Sequence, residues 1–317
     1  MTSPAFVAGD WGTSNLRLFL CGADGTLLDS RSGPGAADSV GAYPERLAAL
    51  LGDWTSTHGA LPVVLCGMVG SSIGWAVAPY VNCPAEPRQI VAACLSLERG
   101  RVRIIPGLAC RNQLGAPDVL RGEETQILGA LRLHPALSRQ RQLLCLPGTH
   151  TKWAVLDAGA VSEFLTAPTG ELFALLSAHS ILVSDARAVA DVAAISDGAG
   201  FATGLDQVAR FPHISLLHRL FECRSRRLTG ELAPEGAGPF LSGLLIGGDV
   251  HGAMQLLARG AQREVHIVGA ARLSRLYAHA LETFGYRAVT VDGDKAAREG
   301  LIHVHTLLTE QGARHEV

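Results

Sequence analysis

The chain has 317 residues, room for about two domains of ~150 residues each, and its 48% hydrophobic and 18% charged residues exclude a disordered chain. A formal net charge of −2 leaves no basic surplus to neutralise phosphates, so nucleic-acid binding loses its main electrostatic term. The seven cysteines form no CxxC pair and sit mostly in apolar runs, which reads as small buried hydrophobes in a reducing cytoplasm and argues against a zinc site.

Taken in chain order, residues 5–9 and 16–20 read as strands flanking Asp10-Trp11-Gly12-Thr13-Ser14-Asn15. Ala23-Asp24-Gly25 signals a hairpin into a third strand near 26–31. This opening lacks the strand, Gly-rich loop and helix of a dinucleotide-binding start. A helix is expected over 43–57, a buried strand over 62–66, a helix over 88–98, a strand over 102–105 and a helix over 123–134. Residues 59–85 carry no charge and are long enough to span a bilayer, but Pro62, Pro79 and Pro84 would break such a helix, so a buried strand and loop are expected. The first ten residues hold no basic segment and no secretory leader is expected.

The polar stretch 134–142 is the best linker, after which the pattern restarts. A strand over 143–146 meets Pro147-Gly148-Thr149-His150-Thr151, a strand over 152–156 follows, and Asp157-Ala158-Gly159 turns into a strand near 160–165. Helices dominate 170–262, then strand 265–268, helix 272–284, strand 287–291 and a helix over 294–307. The fold class is α/β in two similar halves, with domains expected at 1–134 and 135–294 and a returning helix at 295–317.

Each Gly/Thr turn alone reads as an ordinary hairpin. Two of them, each opening a half, read as facing phosphate loops: glycine-unhindered backbone N–H groups and hydroxyls at Gly12, Thr13, Ser14 and Asn15, and again at Gly148, Thr149 and Thr151 with the cation of Lys152. Asp10 suits Mg²⁺, which takes one or two carboxylates and keeps several waters. Glu123 and Glu124 open a helix, where carboxylates serve the macrodipole; alternatively one of them, Glu124 by preference, is a general base, with Glu163 in reserve. Gly269-Ala270 enters a helix through small residues, so a flat ring could lie against the backbone, with Gly247-Gly248 as the opposite wall. Two decoys carry less. Gly70-Ser71-Ser72-Ile73-Gly74 matches a nucleophile elbow without the required strand end and helix start. Gly198–Gly204 mimics a dinucleotide fingerprint among helices.

Together GDWGTSN, PGTHTKW and VGAARLSRLYAHAL resemble the two phosphate loops and the adenosine segment of the sugar kinase, Hsp70 and actin ATPase superfamily. The resemblance implies two ribonuclease-H-like domains with ATP and Mg²⁺ in the cleft between them. LCGMVGSSIGW, PYVNCPA, RGEETQILGAL, TGELFALLSAHSIL and LSGLLIGGDVHGA are similar to the 2-dehydro-3-deoxygalactonokinase family over nearly the whole chain. That likeness implies ATP-dependent phosphorylation of 2-dehydro-3-deoxy-D-galactonate on its 6-hydroxyl, with ATP and a small sugar acid as partners, no nucleic acid, no membrane and a homodimer left open. A superfamily kinase of this shape would seat the acid against the first domain, by Gly67, Met68, Ser71, Ser72, Trp75 and Asn82. Its second phosphate loop departs from the many superfamily members that carry an Asp base there. A phosphatase on the same fold, a partner-driven ATPase and a serine hydrolase are the competing readings.

Overall fold

The computed structural model describes residues 2–183, 199–258 and 263–315. Buried apolar residues of the first two strands set the first sheet. Strand β1 (Pro4–Trp11) pairs antiparallel with β2 (Asn15–Gly22), which pairs antiparallel with β3 (Leu27–Pro34). Helix α1 (Tyr43–His58) buries Tyr43, Leu47, Leu51 and Trp54 at helical spacing. The next strand, β4 (Val63–Gly67), is buried at all five positions, as a parallel strand covered on both faces should be. It lies parallel to β1 with Asp10 level with Cys66 and Trp11 level with Gly67.

Between residues 80 and 120 come β5 (Tyr80–Asn82), α2 (Pro87–Ala92), β6 (Leu95–Leu97), β7 (Val102–Ile104), β8 (Gly107–Arg111) and β9 (Pro117–Leu120). The helix expected over 88–98 is therefore cut short. Leu95 and Leu97 pair with Ile104 and Val102 across an antiparallel edge, and Glu98 and Arg99 turn the chain at positive φ. The β8–β9 hairpin, with β5 beside it, forms a separate three-stranded sheet that the sequence pattern does not reveal. The uncharged stretch 59–85 holds β4, a short 3₁₀ turn and β5, and no helix.

After α3 (Glu123–Leu133) the pattern repeats: β10 (Gln142–Leu146), β11 (Thr151–Asp157), β12 (Ala160–Ala167), α4 (Thr169–His179), α5 (Ala199–Arg210), α6 (Leu216–Leu220), α7 (Glu222–Leu228), α8 (Ala237–Leu257), β13 (Glu264–Gly269), α9 (Ala271–Thr283), β14 (Arg287–Asp292) and α10 (Gly293–His315). The first sheet runs β3-β2-β1-β4-β7-β6 and the second β12-β11-β10-β13-β14. In both, a meander of three strands is followed by a parallel strand placed beside the first. This is the ribonuclease-H-like order twice over.

The chain forms two compact units. One comprises Met1–Arg141, Leu156–Phe164 and Asp292–Val317, the other Gln142–Val155 and Leu165–Val291. The first stretch of the first unit runs past 134 to Arg141, and the 3₁₀ turn Pro135–Ser138 within it buries Leu137. The hairpin tip of β11 and β12 joins the first unit, where Val161 bridges Ala85. The first unit's core gathers Trp11, Leu16, Leu18, Leu47, Trp54 and Leu65; the second unit's gathers Trp153, Phe201, Ile246, Ile267 and Tyr277. The helical segment Pro234–Leu257, which contains α8, is apolar and long enough to cross a membrane, yet 67% of its apolar window is buried in the protein.

Two glycine contacts hold α3 against α10 in the first unit. A Cβ at Gly129 would overlap the Ala296 carbonyl oxygen, and one at Gly300 would overlap the Thr125 carbonyl oxygen. The Phe6 and His305 rings stack at 3.7 Å and 10°, seating α10 on β1; burial pushes His305 down to about 4, so the stacked ring is neutral. Gly300→Ala is expected to cost about 3 kcal/mol or more, since helix backbone cannot yield as a side chain can, read as a fall in denaturation midpoint with an unchanged m-value.

Candidate active site

Chemistry-bearing residues of the first unit meet at the ends of β1 and β4. The turn Gly12–Ser14 is closed by the Gly12 N–H donating to the Asn15 carbonyl at 2.9 Å, and the Ala36 and Ala37 N–H groups fasten the Gly12 and Thr13 carbonyls at 2.9 and 3.0 Å. Thr13, Ser14 and Asn15 stay exposed, lining a shallow depression with Asp10, Gly12, Arg17 and Ser32. Arg17 ties this loop down. Its guanidinium meets the Asp10 carboxylate at 2.8 Å and the Asp294 carboxylate, at the start of α10, at 2.7 Å. Those two carboxylates raise its pKa against the opposing effect of burial.

Gly67 and Gly122 must be glycine. Both have positive φ, at 89° and 103°, a region that side chains rarely enter. A Cβ at Gly67 would sit 2.8 Å from the Trp11 carbonyl oxygen, and one at Gly122 would stand 3.6 Å from Gly67 Cα. The start of α3 therefore abuts the end of β4. Glu124 is fully buried. Its carboxylate accepts from the Gly122 N–H at 2.6 Å and the Thr125 hydroxyl at 3.1 Å, and burial beside Glu123 pushes it up to about 8. Glu123 is half-buried and accepts from the Arg121 N–H at 3.1 Å. Glu124, the base preferred from the sequence, is thus buried with its carboxylate on the Gly122 N–H at the start of its own helix, and Glu123 is the more accessible of the two. Glu163, the reserve, is held by Arg141 at 3.4 Å and by Gln113.

The stretch after Gly67 is a looped wall. Met68 and Trp75 are half-buried, Ser72 is exposed, and the Ser71 hydroxyl donates to the Met68 carbonyl at 2.7 Å. Asn82 is exposed on β5. Arg121, passed over by the sequence reading, packs here. Its guanidinium lies over the Tyr80 ring at 4.6 Å and donates to the Ala78 carbonyl at 2.8 Å, and a Cβ at Gly70 would come within 2.9 Å of it. No helix follows Gly70–Gly74, so the nucleophile-elbow motif stays unformed.

The second unit holds a cavity of about 400 Å³ lined by Gly148, Thr149, Thr169, Gly170, Phe173, Ala174, Ser242, Leu245, Ile246, Leu273 and Tyr277. Gly148 and Thr149, at the turn between β10 and β11, form one edge of it. Lys152 is buried and its ammonium donates to the His150 carbonyl at 2.9 Å. Thr151 departs from expectation: it is fully buried and its hydroxyl bonds the Tyr277 hydroxyl at 2.7 Å, pointing into the protein. Gly269 ends β13, and Ala270 caps α9, beside the cavity-lining Leu273. Gly247 and Gly248 lie inside α8 instead of on a wall. A Cβ at Gly247 would meet Leu205 and Val208 of α5 at 3.1 Å, so that glycine serves helix packing. Gly204 likewise lets α5 approach α8 at Phe240 and Gly243, which accounts for the fingerprint-like run, whose first residue Gly198 lies outside the described residues.

Asp249 is the polar centre that the sequence reading did not single out. It accepts from Trp153 Nε1 at 2.8 Å, the Thr169 hydroxyl at 2.7 Å and the Tyr277 hydroxyl at 2.7 Å. Burial raises its pKa and those three donors oppose the rise. An aspartate inside an otherwise apolar helix was the available signal, since such a charge needs partners.

A ribonuclease-H-like topology repeated twice, with a glycine-threonine turn opening each half, gives the chain the fold of the sugar kinase and actin-like class. The 2-keto-3-deoxy-galactonokinase family model matches residues 10–304. The chain is 38% identical to a probable 2-dehydro-3-deoxygalactonokinase of Rhizobium meliloti, over 95% of this chain and 96% of that one. It is 36% identical to the 2-dehydro-3-deoxygalactonokinase of Escherichia coli, over 93% and 96%. A crystal structure from Sinorhizobium meliloti that bears the same kinase name superposes with a TM-score of 0.84 at 35% identity, covering 94% of this chain and 97% of that one. An activator of 2-hydroxyisocaproyl-CoA dehydratase from Clostridium difficile shares the fold, with a TM-score of 0.51 at 12% identity over 98% and 97%. This chain belongs to the 2-keto-3-deoxy-galactonokinase family, and it is a carbohydrate kinase.

The raised Glu124 pKa has a stability consequence. Between the unfolded value near 4.5 and the folded value of about 8, the native state binds more protons than the unfolded one, so stability falls as pH rises through that window and levels off above it. Glu124→Gln should remove this slope. Denaturation midpoints at pH 5 and pH 8 should then differ less in the variant than in the wild type.

Proposed function

We propose that this protein transfers the terminal phosphoryl group of ATP to the 6-hydroxyl of 2-dehydro-3-deoxy-D-galactonate in a reducing cytoplasm. The observation that carries the reading is the family match over residues 10–304; the 400 Å³ cavity beside Gly148 and Thr149 supports it. The substrate oxygen forms a bond to the γ-phosphorus, the bond to the ADP oxygen breaks, and the hydroxyl proton passes to a carboxylate.

The residues take the following roles in this proposal. The adenine and ribose occupy the cavity of the second unit, against Phe173, Leu245, Ile246 and Leu273. Gly148 and Thr149 receive the phosphates, with Lys152 holding the loop's carbonyl and adding positive potential. In the first unit, Gly12, Thr13, Ser14 and Asn15 offer backbone N–H groups and hydroxyls to the transferred group. Glu123, half-exposed at the start of α3, takes the proton, and Glu124 fixes that helix start from beneath. The acid's carboxylate lies along Gly67–Trp75, where Ser72 is exposed and the Arg121 guanidinium behind Gly70 supplies a cation.

No group of three or more metal-ligating side chains gathers among the described residues. A single carboxylate with waters is enough for a phosphate-borne Mg²⁺, and Asp10, partly exposed with one oxygen on Arg17, fits that modest role. The ion would neutralise charge on the triphosphate. The free thiols of all seven cysteines agree with the compartment.

The decisive experiment is purified protein with Mg-ATP, assayed for ADP against a panel of 2-keto-3-deoxy acids and plain sugars. Turnover should depend on the galactonate-derived acid; phosphate release without any acceptor would identify a hydrolase instead. General-base help is typically worth ~10²–10⁴-fold, so Glu123→Gln should lower kcat by that factor while Glu124→Gln stays within about tenfold of wild type. Asp10→Ala should abolish turnover with the melting cooperativity retained. A Glu123→Gln enzyme with wild-type kcat would return the base assignment to the helix-dipole reading.

A further inference from the structure

With Asp249 as a carboxylate, the hydrogen-bond directions around it follow from its partners. A carboxylate only accepts, so Trp153 Nε1, the Thr169 hydroxyl and the Tyr277 hydroxyl all donate to it. Tyr277 has spent its one proton, so the Thr151 hydroxyl, 2.7 Å away, must donate to the Tyr277 oxygen. Both Thr169 and Tyr277 line the cavity, but the Tyr277 oxygen is now filled on both sides. Thr169 Oγ1 alone keeps lone pairs and has no proton to offer.

From this we infer that Asp249 is a specificity-determining positioning residue: by fixing the Thr169 proton inward it turns Thr169 Oγ1 into an obligate acceptor that reads a ribose hydroxyl of the nucleotide. The inference rests on the nucleotide reading above. Position along the cavity selects the ribose. Gly170, the next residue, packs so tightly on the Gly148 carbonyl and Thr149 that no Cβ fits, which places Thr169 one residue from the phosphate edge. The rest of the lining is mostly apolar, with Phe173, Leu245 and Leu273, and suits a base. In a nucleoside triphosphate the sugar lies between base and phosphates, and its hydroxyls are the donors at that point. An anion or carbonyl brought to the same oxygen would meet lone pair against lone pair.

The test measures binding of ATP, 2′-deoxy-ATP and 3′-deoxy-ATP calorimetrically, without sugar acid. Leaving a partly buried acceptor without its donor costs of the order of about tenfold in affinity, so wild-type protein should bind one deoxy analogue about tenfold more weakly than ATP. Thr169→Ser should keep that gap, and Thr169→Val, of the same shape without the oxygen, should close it. Asp249→Asn, which offers an N–H towards the Thr169 oxygen and frees its proton to swing, should also close it. If Asp249→Asn fails to fold, judged by circular dichroism, the two Thr169 variants carry the test. Equal wild-type affinity for ATP and both analogues, or a gap that survives Thr169→Val, would overturn the inference while leaving the nucleotide reading intact. Wild-type protein that binds none of the three would overturn the nucleotide reading itself, and the inference with it.

Discussion

Backbone-to-backbone contact between α3 and α10 organises the first unit. Because Gly129 and Gly300 carry no side chains, the two helices meet closer than any other residue pair would allow. Two ends are set by that crossing. The start of α3 brings Arg121, Glu123 and Glu124 against Gly67, and the start of α10 brings Asp294 to Arg17, which in turn holds Asp10. A helix crossing without chemistry of its own therefore fixes where these charged groups stand relative to one another. Overpacked or spread apart, it would leave each side chain correct and the constellation lost.

The second unit solves the same problem differently. Its cavity is lined by α4, α8, α9 and the turn after β10, and beside it side chains from β11, α4 and α9 converge on one carboxylate of α8. Trp153, Thr169 and Tyr277 come from three elements, and none of them could hold its rotamer alone. A fully satisfied buried network specifies one arrangement, because every alternative leaves a donor or acceptor orphaned. The close packing of α5 on α8 through Gly204 and Gly243 fixes the helix that carries Asp249.

Much of this was legible in the residues. The two strand–turn–strand openings were readable because Asp24-Gly25 and Ala158-Gly159 punctuate them and the flanking runs alternate. The kinase family was readable from motifs that span nearly the whole chain. Other features were hidden for physical reasons. The β8–β9 hairpin has short strands and a mixed apolar face, so periodicity carries no signal there. Gly247-Gly248 suggests a loop, yet the surrounding apolar residues keep the segment helical and the glycines serve packing. Glu123 and Glu124 differ by about 100° of helix rotation, and only the neighbours β4 supplies decide which of them faces inward. Asp249 needed partners at positions 153, 169 and 277, separations over which one sequence shows no pattern.

The first unit is assembled from three stretches of chain, the last beginning at Asp292. During synthesis, residues 1–141 leave the ribosome with the glycine groove of α3 and the Phe6 ring still uncovered, since α10 is made last. The second unit's main stretch, 165–291, is complete before that helix exists. Ordered growth from the N-terminus therefore finishes the second unit first and closes the first one only at chain termination. A nascent chain stalled shortly before its end would hold a finished second unit with its cavity and an unfinished first unit, with apolar surface open to chaperones.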